Sequence, residues 1–221
     1  MEFNKSELNK VIRGAKKASY NKDEIYSILD STEICNIAFN LNGKACVQPI
    51  NYGRNGDSLY IHGSIKNRMT NALIESGEVS LSVMILDSMK LTRSAFHHSV
   101  NYRSVVIFGT VRELTSDTEK LIGLKSIINH FVSNRWEFCR KPNQKELNAT
   151  KVIEIKIESA SAKIANTPFK DNKSDYNLDF WAGEIPVKTI YEYPIPDKEL
   201  NQKIEIPSHV IDFYNKKKDG I

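Results

Sequence analysis

Cysteine is scarce in this sequence, and long apolar runs are missing. Three cysteines among 221 residues are odd in number and widely spaced, so they predict neither a disulfide framework nor a zinc site, and a reducing cytoplasm suits them best. No apolar run approaches the roughly 20 residues of a membrane-spanning helix. The first residues also lack the apolar stretch of a secretory signal. We therefore expect a cytoplasmic protein that does not enter a membrane.

Glycine-rich nucleotide motifs and metal-ligand clusters are missing as well. None of the 10 glycines forms the G-x-G-x-x-G turn of a Rossmann unit or the loop of P-loop nucleotide hydrolases. No internal repeat is visible. His97 and His98 are the only adjacent histidines, and neighbouring residues of a strand point to opposite faces. The sequence therefore predicts no metal site.

Positive charge is modest and dispersed along the chain. The formal net charge is +4, and the basic clusters are small: Lys16-Lys17 and Lys216-Lys217-Lys218. These clusters are typical of solvated, frayed chain ends. The alternative is that they are arms that bind a partner. No element concentrates basic residues as a nucleic-acid reader does. The mild excess instead suits a small anionic ligand such as a phosphate ester.

Local patterns predict an α+β protein, mainly β, built on a small antiparallel barrel. Capping residues Asn21 and Ser116 mark two helix starts, and Asn42-Gly43 marks a hairpin. We expect residues 1–20 to form an N-terminal arm, 21–165 the barrel domain, and 166–221 an extension that packs over it. The predicted strands cover 34–40, 44–52, 58–62, 78–86, 102–114, 151–158 and 161–164, and the predicted helices cover 21–29, 65–74 and a segment from Ser116 to Phe131.

One strand–turn–helix junction predicts an anion site. The strand ends at His62, the turn is Gly63-Ser64, and Lys66 and Arg68 follow in the expected first turn of a helix. A helix start leaves backbone N–H groups free to bind phosphate, and basic side chains there add charge-assisted hydrogen bonds. The alternatives are an ordinary connection with surface cations, and His62 as an aromatic filler at the strand end.

The residues around that junction also resemble a known family. Pro49-x-x-Tyr52, the run Leu59-Tyr60-Ile61-His62-Gly63-Ser64, and Lys66 with Arg68 resemble the flavin-binding signature of pyridoxamine 5′-phosphate oxidase-related proteins. Residues 101–109 (NYRSVVIFG) and 180–186 (FWAGEIP) resemble the branch with Nim-type nitroimidazole reductases and flavin-nucleotide-binding proteins. The resemblance covers roughly residues 10 to 190.

The resemblance implies a split barrel that forms a homodimer, with FMN in two clefts at the subunit interface. It implies that the strand at 49–52 lines the flavin ring largely through backbone groups, and that the turn faces the phosphate. It also implies a C-terminal flap that carries Trp181. The alternative is that Trp181 anchors the C-terminal extension to the barrel wall. The implied cofactor-binding residues are Pro49, Ile50, Asn51, Tyr52, His62, Gly63, Ser64, Lys66, Arg68, Arg103, Ser104 and Trp181.

The activity implied is that of an FMN-dependent reductase or oxidase of a small molecule. A nicotinamide nucleotide is a candidate electron donor, and no protein residue is predicted as acid or base because the flavin carries the redox chemistry. The C-terminal Arg and His motif by which the vitamin oxidases recognise substrate is missing, so oxidation of pyridoxamine phosphate is not expected. The alternative is a split barrel that stores or senses FMN, or holds haem, without turnover.

Overall fold

Nine strands and five α-helices make up the computed structural model, which describes residues 1–220. The strands are β1 (Ala18–Ser19), β2 (Ile34–Leu41), β3 (Lys44–Asn51), β4 (Gly53–Asn55), β5 (Ser58–Ser64), β6 (Glu78–Leu91), β7 (Ser99–Leu114), β8 (Thr150–Ala165) and β9 (Gly183–Pro186). The helices are α1 (Lys22–Leu29), α2 (Arg68–Ser76), α3 (Asp117–Phe131), α4 (Gln144–Ala149) and α5 (Ser208–Lys217).

All strand pairs are antiparallel and belong to one sheet. Its main path runs β3-β2-β6-β7-β8-β5-β4, while β1 pairs with β8 and β9 pairs with β6. The predicted α+β class with an antiparallel barrel is therefore confirmed. Gly109 lies where the β7–β8 register shifts, and a Cβ there would stand 2.1 Å from the carbonyl oxygen of Lys156. This close approach explains the glycine.

Several predicted boundaries need correction. Residues 87–100, expected to be a loop or an irregular strand, are strand at both ends, because β6 extends to Leu91 and β7 begins at Ser99. The two strands expected at 151–158 and 161–164 are one continuous strand, β8. Helix α2 begins at Arg68 rather than at Ile65, because Asn67 is the N-cap. The caps at Asn21 and Ser116 are confirmed.

The main core lies inside the curved sheet and is covered by α1 and α2. It includes Ile25 and Leu29 from α1 and Leu73 from α2, all fully buried. Phe3 also belongs to this core, which the polar composition of the first 20 residues did not indicate. Helix α3 packs over a smaller cluster on β5 and β8. No helix among the described residues is long and apolar enough to cross a bilayer.

The opposite face of β3, β2, β6 and β7 carries exposed apolar side chains. We call it the open sheet face. Directly opposed residues of antiparallel strands share a face, and the registers align Pro49, Asn36, Ser82 and Val106 in one row across it. Its large exposed apolar residues are Ile34, Val47, Met84 and Val106.

Candidate functional site

The junction between β5 and α2 has the predicted order but not the predicted hydrogen bonding. The side chain of Asn67 accepts from the amides of Met69 and Thr70, at 2.9 and 3.2 Å. The amide of Lys66 donates to the hydroxyl of Ser64. The expectation that the helix start leaves its backbone amides free is therefore wrong at these positions. Asn67 satisfies two donors of the helix start, which leaves fewer backbone amides for an anion than the sequence suggested.

Two basic side chains at this junction face a cavity of about 350 Å³. Lys66 and Arg68 are exposed, and neither forms an ion pair with any residue in 1–220. An unpaired cation beside a concave surface is available to an anionic ligand. The cavity is lined by Phe39, Leu41, Cys46, Gln48, Lys66, Asn67, Arg68 and Met69.

His62 and Gly63 lie just before this cavity, at the end of β5. A Cβ on Gly63 would approach the side chains of Asn67 and Thr70 to 3.2 Å, so the helix start packs closely on this glycine. The Nδ1 atom of His62 is buried and forms no hydrogen bond within the described residues. Burial lowers the pKa of His62 below its ordinary value of 6.5. Burial thus favours the neutral form of the imidazole.

The residues predicted on β3 divide between the two sides of the sheet. Pro49 and Asn51 are on the open sheet face, while Ile50 packs against the core. Because β3 is an edge strand that pairs only with β2, part of its backbone has no partner in the sheet. That arrangement leaves backbone groups available to a ligand, as the family resemblance implies.

Tyr52 lies in the core. Its side chain is fully buried, and its hydroxyl donates to the carbonyl of Leu29 at 2.5 Å and lies 2.9 Å from the hydroxyl of Thr32. The ring packs against His130, with centroids 4.7 Å apart. The side chain of Tyr52 thus has no surface to offer a ligand and holds the end of β3 on α1.

Arg103 and Ser104 lie far from the cavity in the same chain. Ser104 pairs with Lys163 near one end of β8, whereas Ser64 pairs with Thr150 at the other end. The guanidinium of Arg103 forms an ion pair with Asp87, with 2.7 Å between Nη2 and Oδ1. One chain therefore does not bring these two residues to Lys66 and Arg68.

Trp181 is also remote from the cavity within one chain. It precedes β9, whose Gly183 pairs with Leu91 of β6, whereas Gln48 of the cavity lies opposite Leu81 through β2. Leu81 and Leu91 are ten residues apart, which is roughly 33 Å of strand. Trp181 is 69% exposed and packs its ring on Gly183. Its exposed surface faces away from its own core.

The sequence interpretation missed most of the cavity wall. Phe39, Leu41, Cys46 and Gln48 come from the β2–β3 hairpin, which only tertiary packing brings to α2. A local signal for Asn67 was present, because asparagine directly before a helix is a typical N-cap. Ligand contact by the twelve implied residues stays a prediction.

A family model described as pyridoxamine 5′-phosphate oxidase matches residues 21–164. The chain belongs to this family. The matched segment contains every strand that places the junction and the cavity. A search of curated proteins gives no match.

Among solved structures, two similar ones match nearly the whole chain. The flavocytochrome Anf3 from Azotobacter vinelandii is 30% identical over 94% of this chain and 96% of its own, with a TM-score of 0.86. The FAD and haem binding protein from Mycobacterium smegmatis is 30% identical over 89% of this chain and 96% of its own, with a TM-score of 0.82.

A third similar structure shows the fold alone. It is a candidate 5-nitroimidazole antibiotic resistance protein from Bacteroides thetaiotaomicron, 21% identical over 66% of this chain and 86% of its own, with a TM-score of 0.57. The split-barrel fold expected from the sequence is thereby confirmed.

Proposed function

We propose that this protein is a flavin-dependent oxidoreductase that acts on a small molecule, with FMN as its flavin. The observation that carries the proposal is the pair of unpaired cations, Lys66 and Arg68, on the cavity beside α2. Family membership and the two full-length relatives described as a flavocytochrome and as an FAD and haem binding protein support a flavin. When bound, the flavin would supply the hydride and electron transfer.

The residues at the cavity fit the phosphate end of a flavin mononucleotide. Lys66 and Arg68 would hold the phosphate, each by a charge-assisted hydrogen bond. Asn67 keeps the start of α2 rigid, since its cap fixes the amides of Met69 and Thr70. The neighbouring edge of β3 would offer backbone groups to the ring. The cavity presents one group of cations, which suits one phosphate.

We further propose that two chains form a homodimer through the open sheet face. Ile34, Val47 and Met84 are 58%, 69% and 64% exposed, and adjacent apolar side chains on a sheet face mark an interaction surface. Pro49, Asn51 and Ser104 are on the same face. In such a dimer, the far end of one chain, with Arg103 and Trp181, would reach the cavity of its partner.

Trp181 would then cover the flavin of the partner subunit. Its ring, apart from the contact with Gly183, and that of Phe180 are largely exposed within residues 1–220, with 69% and 64% of their surfaces exposed. A ring over the open side of the cleft would exclude water and shape the substrate pocket. A nicotinamide nucleotide is the proposed electron donor.

Haem binding beside the flavin is the second candidate. It is favoured by the descriptions of the two full-length relatives and by His62, because burial lowers the pKa of this imidazole and so favours its neutral form. The neutral ring is the form that ligates haem iron. An intense haem absorption band in protein supplied with haem, weakened in His62→Ala, would support this candidate.

The visible spectrum of the purified protein tests the main proposal. We expect the two bands of oxidised flavin, release of FMN on heating, and loss of the bands when NADH or NADPH is added, with recovery on adding an acceptor. FAD as the released species would overturn the choice of FMN. A flavin that no donor reduces would make the protein a store rather than an enzyme. A colourless protein that does not bind added flavin would overturn the proposal as a whole.

A further inference from the structure

A network of hydrogen bonds at the far end of β6 joins four separate segments of the chain. The ammonium group of Lys90 lies 2.9 Å from Oδ1 of Asn101, 2.7 Å from the hydroxyl of Thr167 and 3.2 Å from the carbonyl oxygen of Thr167. The side-chain nitrogen Nδ2 of Asn101 donates to Oε1 of Glu184 at 2.9 Å, and the hydroxyl of Ser88 donates to the same oxygen. The network thus extends from β6 through β7 and the segment after β8 to β9.

Lys90 is the buried centre of this network. Only 5% of its surface is exposed, and a buried cation is costly unless its donors are satisfied. All three of its acceptors are neutral oxygens from Asn101 and Thr167. The carboxylate of Glu184 supplies the opposite charge one side chain away, while Lys17 is a second cation nearby. Glu184 is connected to Lys90 through the side chain of Asn101.

Strand β9 is held mainly by its backbone pairing. It has four residues and, within residues 1–220, pairs only with β6; after it the amide of Val187 donates to the carbonyl of Asp87, and Glu184, Ile185 and Pro186 are exposed. A short edge strand with exposed side chains opens easily. Within β9, the two hydrogen bonds accepted by Glu184 are the side-chain contacts that tie the strand to the buried network.

We propose that Glu184 is a positioning residue for Trp181. Through Asn101 and Lys90, Glu184 holds β9 on the end of β6, and Trp181 lies two residues before β9. The direction of the indole ring is then fixed by a contact that itself touches no ligand. The proposal rests on the proposed function, in which Trp181 covers the flavin of the partner subunit.

Hydrogen exchange of residues 183–187 tests the anchoring in the full-length protein. We expect Glu184→Ala to exchange at least about tenfold faster there, because two hydrogen bonds to a carboxylate are lost, while β8 keeps its protection. Glu184→Gln keeps an acceptor oxygen for Ser88 and Asn101, so its rate should stay within about threefold of the parent. The matched control is Glu192→Ala, an exposed carboxylate of the same extension with no hydrogen bond in the described residues. Parental exchange in Glu184→Ala would overturn the proposal.

Flavin fluorescence separates positioning from simple stabilisation. A nearby indole quenches flavin emission, so Glu184→Ala should brighten the bound flavin and slow turnover at temperatures well below its melting temperature, and Glu184→Gln should restore both. Faster exchange with unchanged flavin emission and turnover would overturn the positioning role. If the protein binds no flavin, the proposed function fails, and the exchange rates still decide whether Glu184 anchors β9.

Discussion

Two regions of this molecule carry cationic side chains, which are unpaired in one region and hydrogen-bonded or ion-paired in the other. Beside α2, Lys66 and Arg68 are exposed next to a cavity and have no carboxylate partner among the described residues. At the far end of β6 and β7, Lys90 is buried with three acceptors, and Arg103 is held by Asp87. One region leaves its charge free, and the other neutralises it internally.

The difference separates cations that serve the fold from cations that are available to a ligand. A buried charge must be satisfied by the protein itself, or folding is opposed by its desolvation. An exposed charge has no such requirement, because water solvates it. Free cations that converge on a cavity are therefore the stronger indication of an anion site, and the saturated cations of the second region indicate structural roles.

The largest contrast that we expect concerns the two cysteines of the β2–β3 hairpin. Cys46 lines the cavity, whereas Cys35 is fully buried, and burial raises the pKa of the Cys35 thiol to about 12. At pH 8, Cys35 should react with iodoacetamide roughly a thousandfold more slowly than a thiol of ordinary pKa. Bound flavin should slow the labelling of Cys46 alone. Mass spectrometry of the labelled peptides measures both rates. Equal rates for the two thiols would contradict this difference in environment.

Removing one cation from each region compares them directly. Lys90→Met leaves the oxygens of Asn101 and Thr167 without their donor, so the free energy of unfolding should fall by about 1–3 kcal/mol. Lys66→Met removes an exposed, unpaired charge and should change it by less than about 0.5 kcal/mol. Urea unfolding of both variants in the flavin-free form measures the difference, because bound flavin would itself add stability. Equal losses would mean that Lys66 also has a structural role.

The ion pair between Arg103 and Asp87 should contribute less than Lys90. Both side chains keep about a third of their surface exposed, at 30% and 33%, so water screens the pair. A double-mutant cycle with Arg103→Gln and Asp87→Asn should give a coupling energy of about 1 kcal/mol or less. A coupling of several kcal/mol would show that the pair is desolvated, for instance by a partner chain.

The smallest effect that we expect is a pH dependence from His62. Burial lowers its pKa below 6.5 in the folded state, so the unfolded chain binds more protons as the pH falls below that value. Stability should then decrease below about pH 6.5 and be independent of His62 above it. His62→Gln should flatten that part of the curve of urea midpoint against pH. A midpoint that rises on acidification in the parent, and not in the variant, would reverse the sign.

Elements with a local cause were predicted well from the sequence. Asn42-Gly43 specifies a hairpin by its backbone preference, with Asn42 at a φ of 53° and Gly43 at 77°. Ser116 and Glu119 form a capping box within a single turn. The antiparallel class followed from strands joined at short spacing. None of these needs information from distant residues.

The rest depends on contacts between distant segments. A register shift between Leu86 and Ser88 changes the alternation along β6, so that Ser88 and Lys90 become buried and Met89 is exposed. A bulge of this kind reverses which side chains face inward, and the sequence pattern did not indicate it. The pairing of β9 with β6 and the distance of Trp181 from the cavity likewise depend on contacts between segments that are far apart in the sequence.

The most direct test of the account is a calorimetric titration of the flavin-free protein with FMN and with riboflavin, in the parent and in Arg68→Ala. Loss of one charge-assisted phosphate contact, worth on the order of 1.5–3 kcal/mol, should weaken FMN binding by roughly ten- to a hundredfold. Riboflavin has no phosphate, so its affinity should be almost equal for the two proteins. A variant that loses riboflavin as strongly as FMN, or that loses neither, would contradict the assignment of Arg68 to the phosphate.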